Sequence, residues 1–318
     1  MAAVRHIDIA PEFAGQRIDN FLLRELKGLP KTRVYRLLRK GEVRVNGGRA
    51  RPGYRLQTGD RLRLPPVRLA EREVQAPSSR IIERLEGAIL HEDEEILVID
   101  KPSGMAVHGG SGLAYGVVEA LRAMRPGQKF LDLAHRLDRD TSGCLVLAKR
   151  RNVLQQLHEQ LRSGAVTKRY LALLHGRMPR GPVPVEEPLE RQRGRGGESV
   201  VRVSAAGKPS RTVFTPLERF SGWTLVEADL QTGRMHQIRV HARHLGHPVA
   251  GDSKYGDDAA NAELRQIGLR RLFLHAATMR FQVGDGREVE VTAPLPEALQ
   301  GILDSLSKGS KQGEGSPE

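Results

Sequence analysis

A run of polar residues that ends directly in an apolar run is the most constraining feature of this 318-residue sequence. Residues 135–143 read His-Arg-Leu-Asp-Arg-Asp-Thr-Ser-Gly, and residues 144–148 read Cys-Leu-Val-Leu-Ala. The first stretch is typical of a loop and the second of a buried strand. Because a buried strand holds such a loop rigidly, the loop is a favourable place for catalytic groups. Asp138, between Arg136 and Arg139, is the candidate, since neighbouring cations favour an ionised carboxylate.

The composition indicates a globular protein that binds a polyanion. Hydrophobic residues make up 39% of the chain, which is enough for a substantial core, and the length suffices for two domains. The net charge is +13, and residues 15–75 carry +10 of it, with 16 Lys and Arg against 6 Asp and Glu. A generally basic surface would spread this excess over the chain, whereas its concentration predicts a nucleic-acid-binding module.

The cysteine content and the distribution of apolar residues predict a cytoplasmic protein. Cys144 is the single cysteine, so the chain can form no intrachain disulfide. It lies within the apolar run, and we interpret it as a buried packing residue rather than a nucleophile. The first residues contain no apolar stretch of signal-peptide length, and no apolar run is long enough to span a membrane.

Residues 15–64 have the pattern of a small module of helices and short strands. Apolar residues at helical spacing predict a first helix over 17–26, and Pro30 separates it from a second helix that runs from a Thr32 cap to Lys40. The second helix would bury one face and crowd basic residues on the other, and a short strand would follow it. This surface could track an RNA phosphate backbone. Its candidate RNA-binding residues are Arg33, Arg36, Arg39, Lys40 and Arg44.

The remainder of the chain predicts a second domain of the α+β class. Residues 76–87 lack a clear period and are expected to be a linker. Over residues 88–305, short apolar strands and helices follow each other irregularly, which favours a mixed, largely antiparallel sheet over strict βαβ units. Residues 178–200 contain four prolines and then a Gly/Arg mixture, and predict a mobile loop. Residues 306–318 are expected to be a disordered tail.

Four motifs of the second domain resemble those of the RluA-type pseudouridine synthases. Residues 135–143 match the signature His-Arg-Leu-Asp, two residues, Thr-Ser-Gly, and Lys168 with Tyr170 matches a Lys-x-Tyr motif. Residues 232–239 match Thr-Gly-Arg-x-His-Gln-Ile/Leu-Arg, and residues 246–256 match a turn region to which we assign a structural role. A match of this extent is far more specific than a short pattern.

The basic module in turn resembles the S4 RNA-binding domain. The matching residues are Arg-Ile-Asp at 17–19, the turn sequence at 41–47 and Gly-Asp at 59–60. The two resemblances together imply an α+β protein in which a small S4-type domain, residues 15–75, precedes a pseudouridine synthase domain with a mixed, largely antiparallel sheet.

The resemblance implies an RNA isomerase that needs no cofactor. Such an enzyme breaks the bond between ribose C1′ and uracil N1, turns the base and joins C1′ to C5, with no net redox change. The target base has to leave the RNA stack. Asp138 would act at the sugar, either by attacking C1′ or by removing the C2′ proton.

The resemblance also assigns supporting roles to other residues. Arg136 would occupy the place that the flipped base leaves. Tyr170 would lie against the uracil, with Lys168 beside it at the RNA, and is also a candidate for removing the C5 proton. Arg239 would pair with Asp138 and orient it.

The implied partner is large-subunit (23S) ribosomal RNA, either free or in an assembling subunit, bound by a monomeric enzyme. A non-catalytic RNA-binding or ribosome-assembly protein is the alternative, although binding alone does not require Asp138, Tyr170 and Arg239 together. A small-molecule glycosidase would not need the basic module.

Two further patterns are set aside. Four histidines, at 236, 241, 244 and 247, lack the spacing of known zinc motifs, so we expect no metal site. The glycine-rich stretch 109–112 lacks the ending of a phosphate-binding loop and predicts a flexible loop near the site.

Overall fold

The computed structural model describes residues 4–26, 28–67, 77–109, 115–194 and 198–313. The chain divides into two compact units, Met1–Gln75 and Ala76–Glu318. None of the helices in these ranges combines the length and the apolar character that crossing a membrane requires.

The first unit combines two helices and a four-stranded antiparallel sheet. A 3-10 turn (Pro11–Phe13) precedes the helices, and the strand order is β1-β4-β2-β3. Apolar side chains from both helices and from the strands share one core. The elements are β1 (Arg5–Asp8), α1 (Ile18–Glu25), α2 (Lys31–Lys40), β2 (Arg44–Val45), β3 (Gly48–Arg49) and β4 (Arg61–Leu64).

Turn residues set the ends of these elements. Helix α2 ends at Gly41, whose left-handed backbone (φ 68°) lets its N–H bond to the last helical carbonyls. The N-cap is Pro30 and not Thr32 as predicted, because the proline ring fixes φ near the −56° found there and the helix begins at the next residue. Asn46 and Gly47 both have positive φ, which is the turn that a tight hairpin requires.

The second unit is built on a ten-stranded sheet. The strand order is β10-β13-β14-β9-β15-β8-β6-β5, with β16 beside β15 and β7 beside β8. The elements are α3 (Ser79–Glu86), β5 (Ile89–Glu92), β6 (Ile96–Lys101), α4 (Val117–Met124), β7 (Asp132–Leu133), β8 (Ser142–Ala148), α5 (Arg151–Ser163), β9 (Thr167–His175), β10 (Val183–Val185), β11 (Leu189–Arg193), β12 (Ser199–Val203), β13 (Thr212–Phe220), β14 (Trp223–Leu230), α6 (Gln237–His244), α7 (Asp258–Gln266), β15 (Leu274–Val283), β16 (Arg287–Thr292) and α8 (Glu297–Gly313).

The sheet is mixed and largely antiparallel, which confirms the predicted fold class. Among the described strands, β15 and β8 form the parallel pair, and the other pairs are antiparallel. All seven residues of β8 are buried, as the apolar run predicted. The buried thiol of Cys144 lies in this strand, and burial raises its pKa to about 11, as expected for a packing residue.

The register across the middle of the sheet brings the predicted motifs together. Ala276 of β15 pairs with Gly143 of β8 on one side and with Tyr170 of β9 on the other. A Cβ atom on Gly143 would lie 2.2 Å from the Ala276 carbonyl oxygen, and the φ of Gly143 is 109°. Only glycine fits this close approach, which explains the last residue of the 135–143 motif.

Three segments are more regular than the sequence predicts. The expected linker, residues 76–87, contains α3, because Leu85 is buried in the core of the second unit. The expected loop, residues 178–200, contains β10, β11 and the start of β12, and Pro184 is tolerated because β10 lies at the edge of the sheet. The expected tail, residues 306–318, is helical as far as Gly313, since α8 packs through buried residues such as Leu303; residues 314–318 and most of the 109–112 stretch lie outside the described ranges.

Candidate active site

Asp138 lies in the loop before β8, where two recesses meet. A narrow cavity of about 80 Å³ lies on one side and a wider cleft of about 460 Å³ on the other. Arg136, Asp138, His236 and Arg239 line both. The side chain of Asp138 keeps 25% of its surface exposed, so the carboxylate is held by the protein and still open to a ligand.

Two side chains anchor the Asp138 loop, the partly buried His135 and the buried Lys101. His135 accepts a hydrogen bond at Nε2 from the Val146 N–H (3.1 Å), and close packing lowers the pKa of His135 to about 4. A neutral imidazole is required for that acceptor role. Lys101 donates from Nζ to the carbonyl oxygens of Pro102, Met105 and Arg139, at 2.9, 2.9 and 3.0 Å. Burial lowers the pKa of Lys101 to about 7, and its three acceptors match the three N–H donors of an ammonium group.

Arg239 pairs with Asp138, as the third motif implied. Its Nη1 lies 3.1 Å from Asp138 Oδ2. The rest of the guanidinium forms a bidentate pair with Asp252, with Nε–Oδ2 at 2.6 Å and Nη2–Oδ1 at 2.8 Å. Burial disfavours the charged form of Arg239, but its bonds to the two carboxylates outweigh burial and raise the pKa of Arg239.

Asp252 is a functional residue that the sequence interpretation treated only as part of a structural turn. Its side chain is fully buried, and burial opposes its charge. The bonds from Arg239 and from the backbone N–H groups of Lys254 and Tyr255 outweigh burial, so the pKa of Asp252 is lowered. Asp252 therefore fixes the orientation in which Arg239 reaches Asp138. The Gly-Asp of the fourth motif was the available signal.

The third motif also builds the turn that starts α6. Gln237 accepts hydrogen bonds at Oε1 from the Thr232 hydroxyl (2.8 Å) and the Arg234 N–H (2.9 Å). Its amide donates to the Arg211 carbonyl and to Thr212 Oγ1. These bonds tie the turn to β13, so the helix starts at a fixed place and Arg239 projects from its first turn.

Tyr170 lines the narrow cavity beside Asp138, as predicted. The residue is 7% exposed. Burial, and then the neighbouring Asp138 charge, raise the pKa of its hydroxyl. The ring is therefore a fixed wall of the cavity, and its phenol stays protonated at neutral pH.

The structure separates the two other residues predicted at this site. Arg136 is exposed at the rim shared by the cavity and the cleft. Lys168 lies two residues before Tyr170 on β9 but lines neither recess and is only 6% exposed. This low exposure argues against direct contact with RNA, and burial also lowers the pKa of Lys168.

In the first unit, the basic face of α2 forms a groove. Arg33, Arg36 and Arg39 are exposed and line about 750 Å³ together with Leu29, Pro30, Thr32, Pro66 and Val67. Lys40 and Arg44 are also exposed but do not line it. Three guanidinium groups along one groove are suited to successive phosphates.

Two of the four histidines at 236–247, His241 and His247, have hydrogen-bond partners within the protein. His241 is buried and bonds to Thr212 Oγ1 and the Glu187 carbonyl oxygen. His247 bonds through Nδ1 to the His175 carbonyl oxygen. Within the described ranges, no group of three or more His, Cys, Asp or Glu side chains is arranged to hold a metal ion.

This fold and site define an RNA-modifying enzyme of the pseudouridine synthase class. The family model described as RNA pseudouridylate synthase matches residues 95–244, which contain Asp138, Tyr170 and Arg239. The S4 domain model matches residues 16–62. The chain belongs to the RNA pseudouridylate synthase family, which confirms the resemblance carried by its motifs.

Curated relatives match nearly the whole chain. "Ribosomal large subunit pseudouridine synthase C" of Pasteurella multocida (strain Pm70) is 52% identical over 307 residues, which covers 96% of this chain and 94% of that protein. The protein of the same name in Escherichia coli (strain K12) is 51% identical over 309 residues, which covers 96% and 97%.

Two solved human structures share the fold. RNA Pseudouridylate Synthase Domain Containing 4 is 28% identical with a TM-score of 0.59, covering 72% of this chain and 96% of that one. RNA Pseudouridylate Synthase Domain Containing 1 is 27% identical with a TM-score of 0.58, covering 76% and 98%.

Proposed function

We propose that this protein converts specific uridines of large-subunit (23S) ribosomal RNA to pseudouridine, with Asp138 as the group that acts at the ribose. The observation that carries the proposal is the Asp138 carboxylate, held by Arg239 at the junction of a cavity walled by Tyr170 and a wider cleft. The names of the curated relatives support the choice of RNA.

The geometry supports a reaction at the sugar by one oxygen of Asp138. Arg239 donates a hydrogen bond to Oδ2, and none of the described residues donates one to Oδ1. Oδ1 is therefore the atom available to attack C1′ or to take the proton of C2′. Both routes need the same ionised carboxylate, and Arg239 stabilises that form.

Tyr170 would supply a surface for the uracil. A flipped base gains about 1–3 kcal/mol from stacking on an aromatic ring, and the ring of Tyr170 is fixed by its packing. Burial, and then the Asp138 charge, raise the pKa of Tyr170, so its phenol is protonated at neutral pH before the substrate binds. Tyr170 stays the candidate for removing the C5 proton, since it lines the cavity beside Asp138.

Arg136 is suited to replace the flipped base in the RNA stack. It is exposed at the rim of both recesses, two residues before Asp138. A planar guanidinium can stack on neighbouring bases and bond to phosphates, which compensates part of the cost of unstacking.

The S4-type unit, which we assign to residues 15–75, would add sequence-independent affinity. Arg33, Arg36 and Arg39 would contact phosphates along their groove, and Lys40 and Arg44 would extend the basic surface. We further propose that the enzyme works as a monomer in the cytoplasm, on free ribosomal RNA or on an assembling subunit.

The test of the substrate is to map pseudouridines in ribosomal RNA from cells with and without this gene. We expect discrete large-subunit positions to lose pseudouridine in the deletion strain and to regain it when the purified protein acts on the extracted RNA. An unchanged large-subunit map, with losses in another RNA, would refute the proposed substrate.

A further inference from the structure

His236 occupies a backbone conformation that few non-glycine residues adopt. It is the N-cap of α6, with φ 54° and ψ 21° in the left-handed region. Among the described residues, Asn46 is the other non-glycine residue with positive φ. Glycine adopts this region at no steric cost, whereas histidine keeps its Cβ there.

The contacts of Tyr255 indicate which ring nitrogen of His236 carries the proton. The Val201 N–H of β12 donates to the Tyr255 hydroxyl oxygen (2.9 Å). The Tyr255 hydroxyl lies 2.7 Å from His236 Nδ1, and its hydrogen is free to point there. When the hydroxyl donates there, Nδ1 is the acceptor and a neutral imidazole carries its proton on Nε2, and we infer this arrangement for His236.

Nε2 faces the carboxylate of Asp138. The distance from His236 Nε2 to Asp138 Oδ2 is 3.8 Å, and the His236 side chain is only 12% exposed. This separation is longer than a hydrogen bond, and such contacts commonly tighten when substrate binds. Arg239 approaches the same oxygen, so two N–H donors converge on Oδ2 and leave Oδ1 toward the ligand.

We propose that His236, held by Tyr255, is a positioning residue that fixes the rotation of the Asp138 carboxylate so that Oδ1 faces the substrate ribose. This inference rests on the proposed function of Asp138 and assigns no chemistry to His236 itself. It also connects the two-stranded sheet of β11 and β12 to the reacting group, since Val201 lies in β12.

The role requires a proton on Nε2, and the surroundings of His236 favour a neutral ring. Burial lowers the pKa of His236, and the charges around it partly cancel. Those facing groups are the carboxylates of Asp138 and Asp252, the cations of Arg239 and Lys254, and the phenol of Tyr255.

Two substitutions at position 236 separate positioning from a merely structural role. In His236→Gln the side-chain amide N–H can reach the place of Nε2, whereas in His236→Asn the amide replaces only the Nδ1 side and does not reach Asp138. Asparagine suits the left-handed backbone better. A structural role therefore predicts that Asn is the milder change, and positioning predicts that Gln is.

The measurement is single-turnover and steady-state pseudouridine formation on ribosomal RNA. We expect kcat to fall about tenfold or more in His236→Asn and several times less in His236→Gln, with KM for RNA unchanged in both. Equal activities, a milder Asn variant, or a change confined to KM would overturn the proposal. Tyr255→Phe is a third variant, in which loss of the donor to Nδ1 should lower kcat with KM for RNA unchanged; an unchanged kcat would count against the proposal.

A readout independent of activity is ¹⁵N NMR of histidine-labelled wild-type protein, with the signal assigned by its absence in His236→Asn. The proposal predicts a neutral ring at pH 7 with the proton on Nε2. A ring protonated on Nδ1, or on both nitrogens, would overturn it. An inactive wild-type enzyme would refute the proposed function instead, and the tautomer measurement would still decide the geometry.

Discussion

The buried pair of Arg239 and Asp252 should contribute strongly to stability as well as to the orientation of Asp138. In Asp252→Ala, the guanidinium of Arg239, whose side chain is 11% exposed, would keep one carboxylate partner, Asp138, in place of two. It would also remove the acceptor of the Lys254 and Tyr255 backbone N–H groups. Loss of one partner from a buried ion pair costs about 3–5 kcal/mol.

The expected effect is large enough to measure by calorimetry. For a unit of this size, 1 kcal/mol corresponds to about 2–4 °C in Tm, so Asp252→Ala should melt roughly 10 °C below the wild type. The matched control is Glu290→Ala, which removes an ion pair with Arg280 of similar distance (2.6 Å) whose side chains are nearly half exposed. The control should lose no more than about 1 kcal/mol. Equal shifts in the two variants would refute the reasoning.

Three further outcomes follow from the geometry. Gly143→Ala should cost roughly 2–4 kcal/mol in urea unfolding, because its Cβ would meet the β15 backbone at positive φ, and a neutral result would contradict the register. Burial opposes the charge of Glu119, but the nearby His108 and the hydrogen bonds from the Gly109 and Gly116 backbone N–H groups lower the pKa of Glu119 to about 2. Because the folded pKa is depressed, the stabilisation by Glu119 is present above the unfolded pKa and is lost as pH falls toward 2. Glu119→Gln should therefore be less stable than the wild type at neutral pH and equal to it near pH 2, and a constant difference would contradict this. Replacing Arg33, Arg36 and Arg39 by Ala should make the negative slope of log affinity for RNA against log salt shallower by about 2, whereas an unchanged slope would remove the groove from the RNA interface.

The motifs predicted the reacting group of the site because each comes with its own local structure. Asp138 precedes a strand that its apolar sequence marks as buried, and Tyr170 lies on another such strand. Asp138 and Tyr170 come close together because β15 lies between their two strands. The motif resemblance implied this proximity, and the residue pattern alone did not.

The supporting residues could not be predicted in the same way. Asp252, His236 and Tyr255 act through contacts between separate segments, which local periodicity does not encode. Lys168 was assigned to RNA from its motif, yet the structure buries it away from both recesses. The proline-rich stretch 178–200 was misread as a loop because edge strands tolerate proline where central strands do not.

The role of Asp138 is tested most directly by single-turnover formation of pseudouridine in large-subunit ribosomal RNA by Asp138→Asn. Asp140→Asn is the matched control, since Asp140 is an exposed aspartate of the same loop. We expect Asp138→Asn to lose roughly 10⁴-fold or more in rate while it still binds RNA, and Asp140→Asn to stay within a few-fold of the wild type. Pseudouridine formation by Asp138→Asn at a rate near that of the wild type would contradict the assignment.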